Sequence, residues 1–140
     1  MVSFKHRRIL VVDDVEDNLF LLQTFLETEG YDVDTACDGD LALGYIRASP
    51  PDLLLLDVMM PGMNGIELMQ CIRHNDKLSS LPILFITACD DERIVDLDGV
   101  DGLKIAITDF IRKPINFDLL LAKISKIFSE NQVHHGPNQV

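Results

Sequence analysis

Residues 53–56 are four consecutive leucines, and the fifth residue of the run is Asp57. A strand turns successive side chains to opposite faces of its sheet, so an unbroken apolar run needs apolar cover on both faces. The turn residues Pro61 and Gly62 follow almost at once, within "LLLLDVMMPGMNG". Holding a carboxylate at the end of such a run costs free energy unless something compensates it. The leucines are therefore read as a core strand that delivers Asp57 to the open rim of a sheet rather than into its interior.

The rest of the chain repeats the pattern. "RRILVVDD" is a short apolar strand ending in acids. Residues 15–29 read as a helix, with Val15, Leu19, Leu22 and Leu26 along one apolar face and Gly30 closing it. "YDVDTAC" reads as a strand, and "DGDLALGYIRAS" as a helix with Leu41, Ala42, Tyr45 and Ile46 inward, stopped by Pro50 and Pro51. "NGIELMQCIRH" is a helix with Asn64 as N-cap; "LPILFIT" and "ITDFIRK" are strands. Asn116 caps a last helix that turns Phe117, Leu120, Ile124 and Ile127 inward. Five apolar strands thus alternate with helical segments. The expected fold is α/β: a doubly wound five-stranded parallel sheet with helices on both faces. Such sheets bind ligands at the carboxyl ends of their strands. Residues 89–108 are rich in acids and carry Gly99 and Gly102 with poor apolar spacing, so the fourth helix is expected to be short or irregular. The folded unit is expected over residues 1–130. Residues 131–140, with His134 and His135, read as a frayed or disordered solvated tail.

Composition narrows the class. With 140 residues and 47% hydrophobic content the chain is sized for one packed domain. No apolar run approaches the roughly 18 residues of a membrane span, and Asp13 and Asp14 cut short the one apolar run near the N-terminus, so no signal peptide is expected and the location is read as cytoplasmic. A net charge of −11 opposes direct contact with nucleic acid or an anionic membrane. The basic cluster Lys5, His6, Arg7 and Arg8 reads as a solvated flank. Cys37, Cys71 and Cys89 form no C-x-x-C pair and read as small buried hydrophobes.

What matters is which residues end the strands. Asp13 and Asp14 end the first, Asp57 the third, Thr87 the fourth, and Lys113, followed by Pro114, the fifth. In a parallel sheet these ends share one rim. Carboxylates that meet there repel one another until one takes a proton or a cation joins them. All-oxygen ligation suits a hard ion such as Mg²⁺. A cation and an ammonium together attract a phosphoryl group, Thr87 can donate to one of its oxygens, and a carboxylate such as Asp57 can become an aspartyl-phosphate. Each residue alone has an ordinary reading: a helix cap for Asp13 and Asp14, turn chemistry for Asp57, a surface turn for Lys113-Pro114. Their joint occurrence at four strand ends is the informative signal.

With "ILVVDD", "LLLLDVMMPGMNG", "ILFITA" and "DFIRKP" in this order across about residues 7–130, the chain resembles the receiver domain of two-component response regulators. The resemblance implies the flavodoxin-like strand order 2-1-3-4-5. It implies that Asp57 is the phosphoacceptor and that Asp14, Asp57 and the Met59 carbonyl hold Mg²⁺, or Mn²⁺ in its place, with Asp13 acting through a water. It makes Thr87 and Phe110 the switch pair, Lys113 the partner of the phosphoryl oxygens, and Lys113-Pro114 a cis peptide. Ala88 is small enough to leave access to the site. Met59 and Cys89 stand where dephosphorylation is tuned. The donor would be a sensor histidine kinase or a His-containing phosphotransfer protein, and the output a shifted surface of fourth helix, fifth strand and fifth helix that controls a downstream partner or joins two copies of the chain. Apart from accepting and slowly losing this group, no enzyme activity is implied.

This sequence departs from the family pattern in a longer Thr87-to-Lys113 interval and in "IAITDF" before the aromatic, so a different loop is expected there. A stand-alone receiver is expected, the alternative being the receiver of a hybrid kinase or larger regulator. Two other classes compete: a phosphorylation-independent interaction module, and a phosphatase with an aspartate nucleophile. The second wants an acid two residues after the nucleophile, where this chain has Met59.

Overall fold

The computed structural model describes residues 6–88 and 108–135. Within them the order is β1 (Arg8–Val12), α1 (Glu16–Thr28), β2 (Asp32–Ala36), α2 (Gly39–Ala48), β3 (Leu53–Asp57), α3 (Gly65–Arg73), a single 3₁₀ turn (Asp76–Leu78), β4 (Ile83–Thr87), β5 (Asp109–Arg112) and a C-terminal helix (Phe117–His135). The strands form one sheet in the order 2-1-3-4-5, and every neighbouring pair is parallel. The expected fourth helix falls on residues 89–107, outside the described residues.

The four leucines explain the layering. Leu53 and Leu55 join one apolar cluster with Ile9, Val11, Leu84 and Ile111, covered by α1 and the C-terminal helix. Leu54 and Leu56 join the other with Leu10, Val12 and Phe85, covered by α2 and α3. All four leucines are fully buried, so the central strand is apolar because neither face meets water. The register sets Val12 beside Leu56 and Asp57 beside Ile86, which brings the carboxyl ends of β1, β3 and β4 to one level.

Caps fix the helices where the sequence asks for them. Asn64 and Glu67 form a reciprocal capping box on α3, Asp38 accepts from Leu41 N–H on α2, and Asn116 accepts from Leu119 N–H on the C-terminal helix. Gly30 ends α1 with φ +97°, a left-handed conformation suited to glycine.

Several expectations are corrected. Leu41 and Tyr45 face solvent; α2 buries Gly39, Ala42, Leu43 and Ile46 instead. Two adjacent stripes of period four run along this helix, and only its docking on the sheet chooses between them. Val15 is exposed because it is the extended N-cap of α1 and lies outside the helical stripe. Cys37 and Cys71 are exposed free thiols, Cys37 just past β2 and Cys71 on α3 outside its buried set of Gly65, Leu68, Met69 and Ile72; Cys89 lies outside the described residues. Arg7 and Arg8 are half-buried rather than a free flank: Arg7 lies 5.3 Å over the Phe128 ring, and Arg8 donates to Ser49 and Pro50. The C-terminal helix runs from Phe117 to His135. No helix among the described residues is long and apolar enough to cross a membrane.

Candidate functional site

The strand ends meet as the topology requires. Asp13 leaves β1, Asp57 ends β3, and one carboxylate oxygen from each of Asp13, Asp14 and Asp57 lies within 4.8 Å of the others. Lys113, just after β5, brings its Nζ to 3.5 Å from Asp57 Oδ2. Its backbone N–H donates to the carbonyl of Thr87 at 2.7 Å, locking the end of β5 to the end of β4. The Lys113–Pro114 peptide is cis.

Asp57 stands at the rim, yet it is only 3% exposed, where an open position was expected. The β3–α3 turn folds over it: Met59 N–H donates to Asp57 Oδ1 at 3.1 Å. Burial is the largest influence on this carboxyl and pushes its pKa from 3.8 up to about 6; Met59 N–H opposes the rise, the nearby Asp13 charge adds to it, and Lys113 pulls it back. The protein thus holds an ionised Asp57 only against an energetic penalty, which a bound cation removes.

The other predicted residues divide by position. Asp13 is buried and Asp14 exposed, so the acid pair presents one oxygen group from inside the fold and one from its surface. Thr87 is fully buried at the end of β4, and its hydroxyl makes a long 3.3 Å bond to the Ala88 carbonyl. Met59, whose backbone N–H holds the Asp57 carboxylate, is 54% exposed. Phe110 is not at the rim: it pairs with Phe85, two residues before Thr87 on β4, and packs half-buried against the α2–α3 side of the core. Arg112 stacks 5.5 Å from its ring centroid. Cys89 lies outside the described residues.

The donor set fits a hard divalent cation. It offers three carboxylate oxygens, among the described residues no imidazole or thiolate joins them, and one member is buried and under-compensated.

Two contributors escaped sequence reading. Gly65 begins α3 where a Cβ would stand 2.5 Å from the Asp57 carbonyl oxygen and 2.9 Å from Val58 Cα. Asn18, in the first turn of α1, donates to Asp13 Oδ2 at 3.2 Å. The glycine after a helix cap and the asparagine five residues after an acid are visible in the sequence, but their contacts are not.

Known proteins carry the same pattern. A model of the response regulator receiver domain matches residues 9–125. The response regulator PleD of Caulobacter vibrioides is 40% identical over 120 residues, which are 86% of this chain and 26% of that protein. The alkaline phosphatase synthesis transcriptional regulatory protein PhoP of Bacillus subtilis is 39% identical over 128 residues, 91% of this chain and 51% of that protein. This chain therefore spans about half or less of these relatives. Among solved structures, the signal receiver domain of a signal transduction histidine kinase from Syntrophus aciditrophicus superimposes with a TM-score of 0.77 at 29% identity, covering 88% of this chain and 90% of that one.

Proposed function

The chain belongs to the response regulator receiver family of two-component signalling, and from that premise we propose that Asp57 accepts a phosphoryl group from a phosphohistidine on a histidine kinase or a His-containing phosphotransfer protein. The observation that carries this reading is the meeting of Asp13, Asp14, Asp57 and Lys113 at one rim, with the Asp57 carboxylate buried and under-compensated. Asp14, Asp57 and the Met59 carbonyl would hold Mg²⁺, or Mn²⁺ in its place, with Asp13 acting through a water. That ion, when bound, supplies the positive charge that relieves the carboxylates and neutralises phosphoryl oxygens.

In the transfer, an Asp57 carboxylate oxygen forms a bond to phosphorus as the phosphorus–nitrogen bond to the partner's imidazole breaks. The imidazole leaves with that electron pair and takes up a proton. Lys113 pairs with the incoming phosphoryl oxygens, exchanging its 3.5 Å contact with Asp57 for one with the product. Thr87 gives up its long bond to Ala88 and donates to a phosphoryl oxygen. Its movement, together with Phe110, biases the surface around β5 and the C-terminal helix that a downstream partner or a second copy of the chain reads.

The test is direct. Incubated with Mg²⁺ and a small phosphodonor, the protein is expected to gain one acid-stable, base-labile phosphoryl group on Asp57. Continuous turnover of a phosphomonoester would point to the phosphatase reading, which Met59 disfavours by standing where a leaving-group acid is wanted. A phosphorylation-independent module would take up no label. The greater length of PleD and PhoP supports a second reading of context, in which the same unit serves a larger regulator or a hybrid kinase. The phosphoacceptor chemistry is common to both.

Loss of the group is proposed to be slow and to be the chain's only turnover of its own. Met59 is exposed two residues after Asp57, and its thioether is a poor hydrogen-bonding group for orienting an attacking water. A phosphoryl lifetime of minutes or longer at neutral pH is expected, and Met59→Asn should shorten it severalfold. Decay of the labelled protein within seconds would defeat this.

A further inference from the structure

We propose that Asn18 is a positioning residue for the acid pair: its amide fixes the carboxylate of Asp13 and thereby couples the opening turn of α1 to occupancy of the cation site. This rests on the cation reading of the rim given above.

The need for it arises in the backbone. The N-cap of α1 is Val15, extended at φ −99° and ψ 113°, and its side chain accepts no hydrogen bond. Helices prefer Ser, Thr, Asp or Asn there, because a side-chain oxygen must serve the orphan N–H groups of the first turn. Here an acid two residues earlier ties the turn down instead. Asp13 Oδ1 accepts from Val15 N–H at 2.9 Å, and Asp13 Oδ2 accepts from the Asn18 amide at 3.2 Å. A carboxylate held through one oxygen can swing about its Cβ–Cγ bond. Held through both, it presents a fixed edge to whatever lies beyond, and beyond it lie Asp14 and Asp57.

The residue type fits the task. An acid at position 18 would add a fourth negative charge to the rim, and a lysine would supply the cation's charge from the protein. A neutral amide donates a bond to Asp13 without altering the charge that attracts the ion. Asn18 is only half-buried and lines a cleft of about 300 Å³ together with Asp13, Leu21, Lys113, Pro114 and Phe117. Its side chain is therefore in the wall of the site and outside the apolar core, so truncation opens no internal cavity. Outer partners that orient metal ligands typically contribute 10- to 100-fold to metal affinity.

The test is a Mg²⁺ titration followed by backbone amide NMR shifts, with hydrogen exchange of the α1 amides measured with and without the ion. Asn18→Ala, and Asn18→Ser, whose hydroxyl is too short to reach Asp13, are expected to weaken Mg²⁺ binding about tenfold. Asn18→Gln should recover most of that loss, and Gln23→Ala, on the same helix but paired with Glu27, should bind as wild type. Mg²⁺ should slow exchange of the Asn18 and Leu19 amides in the wild type and in Gln23→Ala, but not in Asn18→Ala. Wild-type affinity in both Asn18→Ala and Asn18→Ser would overturn the proposal. So would a lowered melting temperature with Mg²⁺ affinity and Mg²⁺-dependent protection unchanged, the mark of a purely structural role. Failure of the wild type itself to bind Mg²⁺ would overturn the cation reading, and this inference with it.

Discussion

Asp57→Asn is expected to abolish the phosphoryl adduct and, in the same protein, to raise stability at neutral pH when divalent ions are chelated. The first effect follows because an amide has no anionic oxygen to attack phosphorus. The second follows from linkage. Burial raises the Asp57 pKa from 3.8 to about 6, so the folded state binds this proton more tightly than the unfolded state does. The ionised group therefore destabilises the fold at pH 7, and a shift of this size corresponds to about 2–3 kcal/mol at 1.36 kcal/mol per pH unit. Asparagine keeps the shape and the acceptor for Met59 N–H while removing the charge. For a chain of this length the melting temperature should rise by about 5–10 °C. The sign fixes the pH course: the gap between variant and wild type is full above about pH 6 and closes as pH falls from there towards 3.8. Excess Mg²⁺ should narrow it at pH 7 by stabilising the wild type more than the variant, which lacks one anionic ligand. Thermal melts across that pH range in a chelator, repeated at pH 7 with excess Mg²⁺, measure all of this. A gap that is absent at pH 7, or that does not change with pH, would contradict the strained carboxylate.

Gly65→Ala is the second large effect, and it runs the other way. The added methyl would stand 2.5 Å from the Asp57 carbonyl oxygen and 2.9 Å from Val58 Cα, and both are backbone atoms that cannot rotate aside. Either α3 slides outward, breaking the Gly65 N–H bond to the Val58 carbonyl, or the end of β3 moves and takes the phosphoacceptor with it. Overpacking of this kind costs about 1–3 kcal/mol. A displacement near 1 Å at the attacking group is worth about 100-fold in transfer rate. The comparison is Gly44→Ala on the exposed side of α2, where a Cβ meets nothing within 4 Å. There the gain in helix propensity should stabilise by about 0.5–1 kcal/mol and leave phosphorylation unchanged. Chemical denaturation with a timed phosphodonor assay separates the two glycines. Equal behaviour of both variants would mean that α3 does not press on Asp57.

These contrasts mark where sequence reading succeeds and where it stops. The leucine run implied a sheet covered on both faces because strand geometry alone dictates where its side chains point. The acids, Thr87 and Lys113 were legible as strand-end residues, since a parallel sheet collects its carboxyl ends on one rim. The inward face of α2 was not legible: Leu41 with Tyr45 and Ala42 with Ile46 satisfy the same periodicity, and the docked helix buries only the second pair. Cys37 and Cys71 failed for a related reason, because a preference for burial says nothing about which side of an element meets the core.

The sequence by itself determined the parallel α/β architecture, the helix caps at Asn64 and Asn116, and the polar residues that end four of the five strands. Those follow from local propensity and periodicity, which act over a few residues. Only the tertiary structure decided that Asp57 is buried although it stands at the rim, that its carboxyl is pushed to about 6, that Gly65 has no room for a side chain, and that Asn18 reaches Asp13. Each of these depends on atoms from separate elements approaching within a few ångströms. Desolvation, excluded volume and hydrogen bonding act through space, and distance along the chain carries no record of them.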